Sequence, residues 1–404
     1  MHFFPILSTL RRHRTAAALI ILEIALTCAI VCNAIFLIRD RLARMDQLTG
    51  IAETELVRVR LTGIGTQADA SALTAQDLVA LRSIPGVKYA ATTNMVPFGN
   101  SSWNTDVSTK FEDTAGTNAG IYMGSADLLE TLGVKLIAGR DFTADEYLDF
   151  KAAQESNAHV PSVIITRALA ERWFPNESPL GKPLYVTGKE PQIVVGVIDL
   201  LARPNKTKAE LAGLSIVLPV NASYDVSGNY VMRVDPARRG EVLSQVTAVL
   251  NRVDPNRIIL DRQTFDEMRD KYFKADRAMA YLLVGVSLLL LVVTALGVVG
   301  LASFWVQQRT RQIGVRRALG ATRGDILRYF QLENFILATV GIILGMALAY
   351  AINLWLMQKY QVPRLPAAFL PGGAGLLWLL GQIAVLGPAL RAAMIPPAIA
   401  TRTV

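Results

Sequence analysis

Four long apolar runs, at residues 15–38, 278–304, 329–356 and 369–390, are separated by polar stretches of very unequal length. Each run is long enough to cross a bilayer as a helix with some tilt, so four spans are expected. The stretch between the first two, 39–277, is long, polar and mixed in composition. Within it, Val57, Val59 and Leu61 alternate with Arg58 and Arg60, which predicts a strand over 56–61. Thr74, with Asp77 three residues on, reads as a capping box opening a helix that Pro85 and Gly86 terminate. Towards the other end YVMRV reads as a strand, and Asp235-Pro236 as the capped start of a helix whose buried face carries Leu243, Val246 and Leu250. The two flanks read as βαβ-like pieces of one α+β domain with a middle segment inserted between them. In that middle segment Gly133, Gly139 and Gly181 punctuate helix–turn–strand units, and IIT and IVVGVI read as buried strands.

Composition places the chain in a membrane. Its 404 residues are 52% hydrophobic with a mean hydropathy of +0.34, too apolar for an ordinary soluble protein. The net charge of +8 owes much to arginines at the ends of the spans. Arg11, Arg12 and Arg14 precede the first span, Arg391 and Arg402 follow the fourth, and the loop between the second and third is arginine-rich. Basic short loops stay on the cytoplasmic side, so both termini are expected inside and 39–277 outside. Residues 1–14 suit an interfacial segment in contact with lipid, 357–368 a short outer loop, and 391–404 a cytoplasmic tail. The first run is too long for a signal-peptide core, and no small-residue cleavage site follows it. No aromatic-interleaved basic surface points to nucleic acid. Cys28 and Cys32 both lie in the first span, where they serve most simply as small apolar residues.

Glu23 interrupts that span. It lies only about 12 Å along the helix from residue 15. It is therefore expected to reach the interface or pair with the cytoplasmic arginines; a proton relay is the competing reading, without a second intramembrane acid or His to support it. Glu333, one turn inside the third span, is expected to pair with a nearby arginine. Gly341, Gly345 and Ala349 recur at four-residue spacing on that span. Such a small-xxx-small face lets another helix pack closely, within one subunit or between two.

The loop at 305–328 is centred on RTRQIGVRRALGATRGDIL, which sets Arg309, Arg311, Arg316, Arg317 and Arg323 against one acid, Asp325. It reads as a short amphipathic helix closed by Gly320, able to lie on the membrane surface or dock on a partner; a mere positive-inside anchor is the plainer alternative. The histidines are His2, His13 and His159, the first two on the opposite side of the membrane from the large domain, which argues against a His-based triad or metal site. The acids Asp141, Asp145, Glu146 and Asp149 read as a hydrated face. No G-x-x-x-x-G-K-[ST] is present, so the chain has no phosphate-cradling loop of its own.

The arginine loop resembles the segment between the second and third spans of MacB/FtsX-type ABC transporter permeases, approximately R-x-x-E-I-G-[VI]-R-[RK]-A-[LI]-G-A, with Gln312 where the family usually has Glu. YMGSADLLETLGVKLIAGRDF, SVIITRALAERWFPNESPLGK and QIVVGVIDL resemble, in order and spacing, the MacB-type periplasmic core domain. The tail PALRAAMIPPAIATR is similar to the family's ending. The resemblance implies a Porter-like lobe from about 39–98 and 214–277 and a Sabre-like lobe from about 99–213. It further implies a bacterial inner-membrane permease that transmits the motion of a separate cytoplasmic ABC ATPase dimer. ATP and Mg would be bound by that partner, with no cofactor or metal in this chain and no catalytic residue. A second permease copy or a paralogue would complete the membrane unit, with a periplasmic adaptor and outer-membrane channel as further possible partners. The expected ATPase-coupling set is Arg309, Arg311, Ile313, Gly314, Arg316, Arg317, Ala318, Leu319 and Gly320. An efflux or extraction role fits the two-lobed domain. The alternatives are an FtsX-like non-transporting module that controls cell-wall hydrolases or senses peptides, and a membrane-anchored enzyme.

Overall fold

A computed structural model describes residues 14–64, 69–111, 116–154, 159–186, 190–204, 209–226, 228–360 and 363–396. The expected interfacial segment at 1–14, apart from Arg14, and most of the tail at 391–404 lie outside these. The chain divides into two compact units: Met1–Met45 with Ala275–Val404, and Asp46–Lys274.

The first unit contains the spans, as helices Arg14–Met45, Lys274–Gln308, Arg323–Tyr360 and Leu370–Ala393. All four are long and apolar enough to cross a membrane. The first is the hub: 61% of its most apolar window is buried against protein, compared with 17% for the second. Its partner on the third span is the small-residue face. A Cβ at Gly345 would stand 2.5 Å from Cβ of Cys28 and 2.7 Å from the Ala25 carbonyl oxygen, and one at Gly341 would stand 2.9 Å from Cβ of Ile24. Ala349 is fully buried beside them, and its carbonyl accepts from Asn33 Nδ2 at 3.0 Å. The open choice for this face is thus resolved within the chain: it lets the backbones of the first and third spans approach closely. Thr27 and Thr294 share a hydroxyl hydrogen bond of 2.8 Å between the first and second spans.

Of the two places expected for Glu23, pairing with an arginine is not the one found. Among the described residues no basic group pairs with it. It is half-buried, with both carboxylate oxygens 2.6 Å from where a Cβ on Gly297 of the second span would stand. Its place is therefore set by a gap that only glycine leaves, and not by an arginine.

The second unit is α+β. Among the described residues its strands are β1 (Leu56–Gly63), β2 (Val87–Thr92), β3 (Asn104–Val107), β4 (Thr117–Met123), β5 (Leu136–Gly139), β6 (Leu148–Asp149) and β7 (Ser162–Thr166). Then come β8 (Pro183–Leu184), β9 (Gln192–Ile198), β10 (Ser215–Leu218), β11 (Val220–Asn221), β12 (Asn229–Val234) and β13 (Arg257–Thr264). The flanks build one antiparallel sheet in the order β13-β1-β12-β2. Each βαβ piece is split by a strand of the other: β12 lies between β1 and β2, and β1 lies between β12 and β13. Helices Ala70–Arg82 and Arg239–Val253 cover the face bearing Val57, Val59 and Leu61. The opposite face is covered as well, by the middle segment. Leu56, Ala91 and Val231 pack there with Tyr122, Ile164 and Val217, which is why Arg58, on the polar side of the alternation, is only 5% exposed.

The middle sheet runs β3-β4-β10-β7-β9-β5, with β8 on β9. Strand β10 falls in the stretch assigned to the flanking lobe from residue 214, yet it pairs with β4 and β7 inside this sheet. The expected boundary near 213 is corrected accordingly: the chain returns to the flanking sheet only at β12. The expected capping box at Thr74 and Asp77 is corrected too. The helix starts earlier, capped by Asp69, whose Oδ1 accepts from the Ala72 amide at 2.9 Å. Thr74 and Asp77 lie buried inside it, and Asp77 Oδ2 accepts from Tyr230 Oη at 2.6 Å and Arg257 Nη1 at 2.7 Å.

Candidate coupling site

Between the second and third spans the chain forms a helix, Thr310–Ala318, set off from the second span by a non-helical Arg309 (φ −103°, ψ 9°). Its end is built by Gly320 at φ +98°. The Gly320 amide donates to the Arg317 carbonyl at 3.2 Å and the Ala321 amide to the Arg316 carbonyl at 3.1 Å. That 5→2 and 6→1 pair is a Schellman closure, and it requires the left-handed conformation that glycine adopts without strain. Two residues on, Thr322 and Asp325 cap the third span reciprocally. The Thr322 amide donates to Asp325 Oδ2 at 2.9 Å, and the Asp325 amide donates to Thr322 Oγ1 at 3.2 Å. The one acid of the basic run is therefore engaged in starting a helix.

The expected coupling residues separate into two groups. Facing inward, Ile313 (4% exposed) packs with Val306, Ile326, Phe330, Ala389 and Ala392 from the inner ends of the second, third and fourth spans, and Gly314 is buried beside it. Arg317 Nη1 donates to the carbonyls of Ala393 at 3.1 Å and Ile395 at 2.6 Å. A cation on the last carbonyls of a helix is favourable both as a cap and against the helix dipole. Arg309 is buried; its Nη1 donates to both carboxylate oxygens of Glu333 at 3.0 and 2.9 Å, and its guanidinium lies over the Trp305 ring. Glu333 thus has the arginine partner expected of it. Facing outward are Arg311, Gln312, Val315, Arg316, Ala318, Leu319 and Gly320. Leu319 is 82% exposed. Arg316 rests one side of its guanidinium over Tyr329, 4.9 Å from the ring centroid, which fixes its direction while leaving it exposed.

This geometry makes the helix a rigid extension of three spans that presents a mixed apolar and basic face. The inward anchors Arg309 and Arg317 carry no signal in the sequence that distinguishes them from Arg311 and Arg316. The helix phase after residue 309 decides which is which.

Fold and site together define a multi-pass membrane protein with a large extracytoplasmic α+β domain between its first two spans and an anchored basic helix between its second and third. The MacB-like periplasmic core domain matches residues 17–251, more than half of the chain, and the FtsX-like permease C-terminal region matches residues 284–397. The chain belongs to this family of MacB/FtsX-like ABC transporter permeases. It is 26% identical over 348 residues to the uncharacterized ABC transporter permease YknZ of Bacillus subtilis, covering 82% of this chain and 79% of that one. It is 27% identical over 247 residues to the macrolide export ATP-binding/permease protein MacB of a Shewanella species, covering 58% of this chain and only 37% of that protein. A solved periplasmic region of MacB from Actinobacillus actinomycetemcomitans aligns over 57% of this chain and 97% of its own, with 16% identity and a TM-score of 0.33.

Proposed function

We propose that the chain is the membrane subunit of a bacterial inner-membrane ABC system and that helix Thr310–Ala318 is the lever by which a separate cytoplasmic ATPase dimer drives it. Both termini lie in the cytoplasm in this reading, and the large domain lies outside. The observation that carries it is the division of the basic helix. Ile313, Arg309 and Arg317 tie it to the second, third and fourth spans, while Arg311, Val315, Arg316 and Leu319 remain exposed. A bare positive-inside anchor needs arginines but no exposed leucine and no inward clamps. A docking surface needs both: an apolar contact to bind, and a rigid path that carries displacement. ATP and Mg are bound by the partner, and this chain contributes no catalytic group.

ATP binding moves such a system only by stabilising one of two global arrangements through differential contacts. Movement of the docked helix is transmitted to the spans because its inward side is packed and ion-paired, not hinged. The work is done on the extracytoplasmic domain, for export or extraction of a substrate. A second copy or a paralogous permease covers the second span, whose apolar face is the most exposed of the four.

The test is co-purification of an ABC-type ATPase from the native host, with wild type and with the Arg316→Glu/Leu319→Asp double variant. Retention by wild type and loss from the variant are expected. Equal retention by both would remove the outward face from the mechanism.

A further inference from the structure

The flanking sheet carries two arginines on the face turned towards the middle sheet, and what surrounds them does not neutralise both. Arg58 and Arg60 are two apart on β1, so their side chains leave the same face about 7 Å apart. Arg58 is buried and its Nη2 reaches Asp261 Oδ2 at 3.0 Å. Asp261 also accepts from Gln263 Nε2 at 2.7 Å. Arg60, half-buried, lies in register between Asn229 on β12 and Asp261 on β13, yet among the described residues it forms no ion pair. Three polar atoms here are buried without a hydrogen-bond partner: Nε of Arg58, Nε of Arg60 and Oδ1 of Asn229. Burial lowers the Arg58 pKa; Asp261 offsets this, and the neighbouring Arg60 charge lowers it further.

Both arginines and Asn229 line an open cavity of about 150 Å³, together with Asn100, Ser101 and Trp103. No acid lines it. A like-charged pair held partly out of water costs free energy unless an opposite charge joins it. A buried polar group with no partner adds a further cost. A guanidinium without an acid partner, lining a cleft beside a second one, is what an anion site requires. The volume is on the scale of a benzene ring, so it admits an acidic group and a few attached atoms and excludes a large molecule as a whole.

We propose that this cavity binds an oxyanion, the carboxylate or phosphate end of a larger molecule, held by the guanidinium groups of Arg58 and Arg60 with Asn229 beside them. Describing that molecule as the cargo rests on the permease reading above; the anion site itself does not.

The full chain in nanodiscs of neutral lipid is titrated calorimetrically with inorganic phosphate, with N-acetylglycine, and with N-acetylglycinamide as the uncharged control. Saturable binding of at least one anion and none of the amide is expected. Phosphate alone identifies a phosphate-bearing ligand, N-acetylglycine alone a carboxylate, and both a general oxyanion site. Arg60→Gln is expected to weaken binding by about tenfold or more, the effect of losing a charged hydrogen bond. Asn229→Asp supplies the missing carboxylate from within, so it abolishes binding while leaving the thermal midpoint equal to or above that of wild type. Absence of saturable binding by either anion overturns the proposal, as does binding that both variants retain. Neither variant touches the coupling helix, so such a failure leaves the co-purification result unaffected.

Discussion

Arg309 Nη1 stands 3.0 and 2.9 Å from the two carboxylate oxygens of Glu333, and side-chain exposures of 8% and 2% place the pair inside the protein. This pair fastens the start of the basic helix to the third span. Removing one partner of a buried ion pair costs about 3–5 kcal/mol, whereas replacing both with apolar groups is often neutral. Glu333→Leu is therefore expected to lower the stability of the detergent-solubilised protein by about that amount, and adding Arg309→Met to recover most of it. Thermal unfolding of the two single variants and the double variant checks this. Additive losses would mean that the pair does not act as a unit.

Close approach of the first and third spans depends on Gly345. A Cβ there meets Cys28 and the Ala25 backbone at 2.5 and 2.7 Å, whereas one on Gly375 of the fourth span meets nothing within 4 Å. Gly345→Val is expected to cost at least about 1–3 kcal/mol of overpacking, and Gly375→Ala to be neutral. The yield of monodisperse protein after extraction distinguishes them.

Asp77 joins Tyr230 and Arg257 in the core between the flanking sheet and its helices. Asp77→Ala leaves Arg257, whose side chain is 2% exposed, without this carboxylate. A loss of about 3–5 kcal/mol is expected. Tyr230→Phe removes one hydrogen bond and is expected to cost about 1 kcal/mol. Chemical denaturation of the full chain in detergent measures both.

The case of Asp77 shows where sequence reasoning stops. Thr74 and Asp77 have the spacing of a capping box, but that spacing is also one helical turn, and only the position of Asp69 in the folded chain decides between the two. Periodicity is sufficient for the spans and for β1, because burial of one face is a local property; in the Arg239–Val253 helix it finds Val246 and Leu250, but Val242 is buried and Leu243 only partly so. Strand order was not legible: β12 enters between β1 and β2 from more than a hundred residues away, and β10 joins the middle sheet across a boundary with no composition change. At the basic helix the arginine run located the element, and Gly320 marked its end. The inward or outward direction of each arginine is a matter of helix phase, set by the break at Arg309. In sequence the Arg58–Arg60 face reads as the polar side of a strand, since nothing local shows that a second sheet covers it.

Acid weakens the middle lobe through Glu146. The Arg140 guanidinium, donating to both its oxygens at 2.7 and 2.9 Å, holds the Glu146 carboxyl down at about 2 against an ordinary value of 4.5. A depressed carboxylate stabilises the fold fully above its unfolded value, and that contribution is lost as pH falls through the folded one. The stability difference between wild type and Glu146→Gln is therefore expected to be constant above about pH 5 and to close between about pH 4.5 and 2. Thermal midpoints across that range measure it. A difference that does not change with pH would assign the effect of Glu146 to packing.

The central claim is that one face of helix Thr310–Ala318 meets the ATPase while the other is clamped to the spans. Site-specific cross-linking tests it most directly, because the native thiols Cys28 and Cys32 are fully buried and an introduced cysteine at the surface reports alone. With the ATPase subunit co-expressed, Leu319→Cys and Arg311→Cys are expected to cross-link to it, and Ile313→Cys is not. Cross-linking at Ile313, or none at either outward position while the ATPase still co-purifies, would contradict the account.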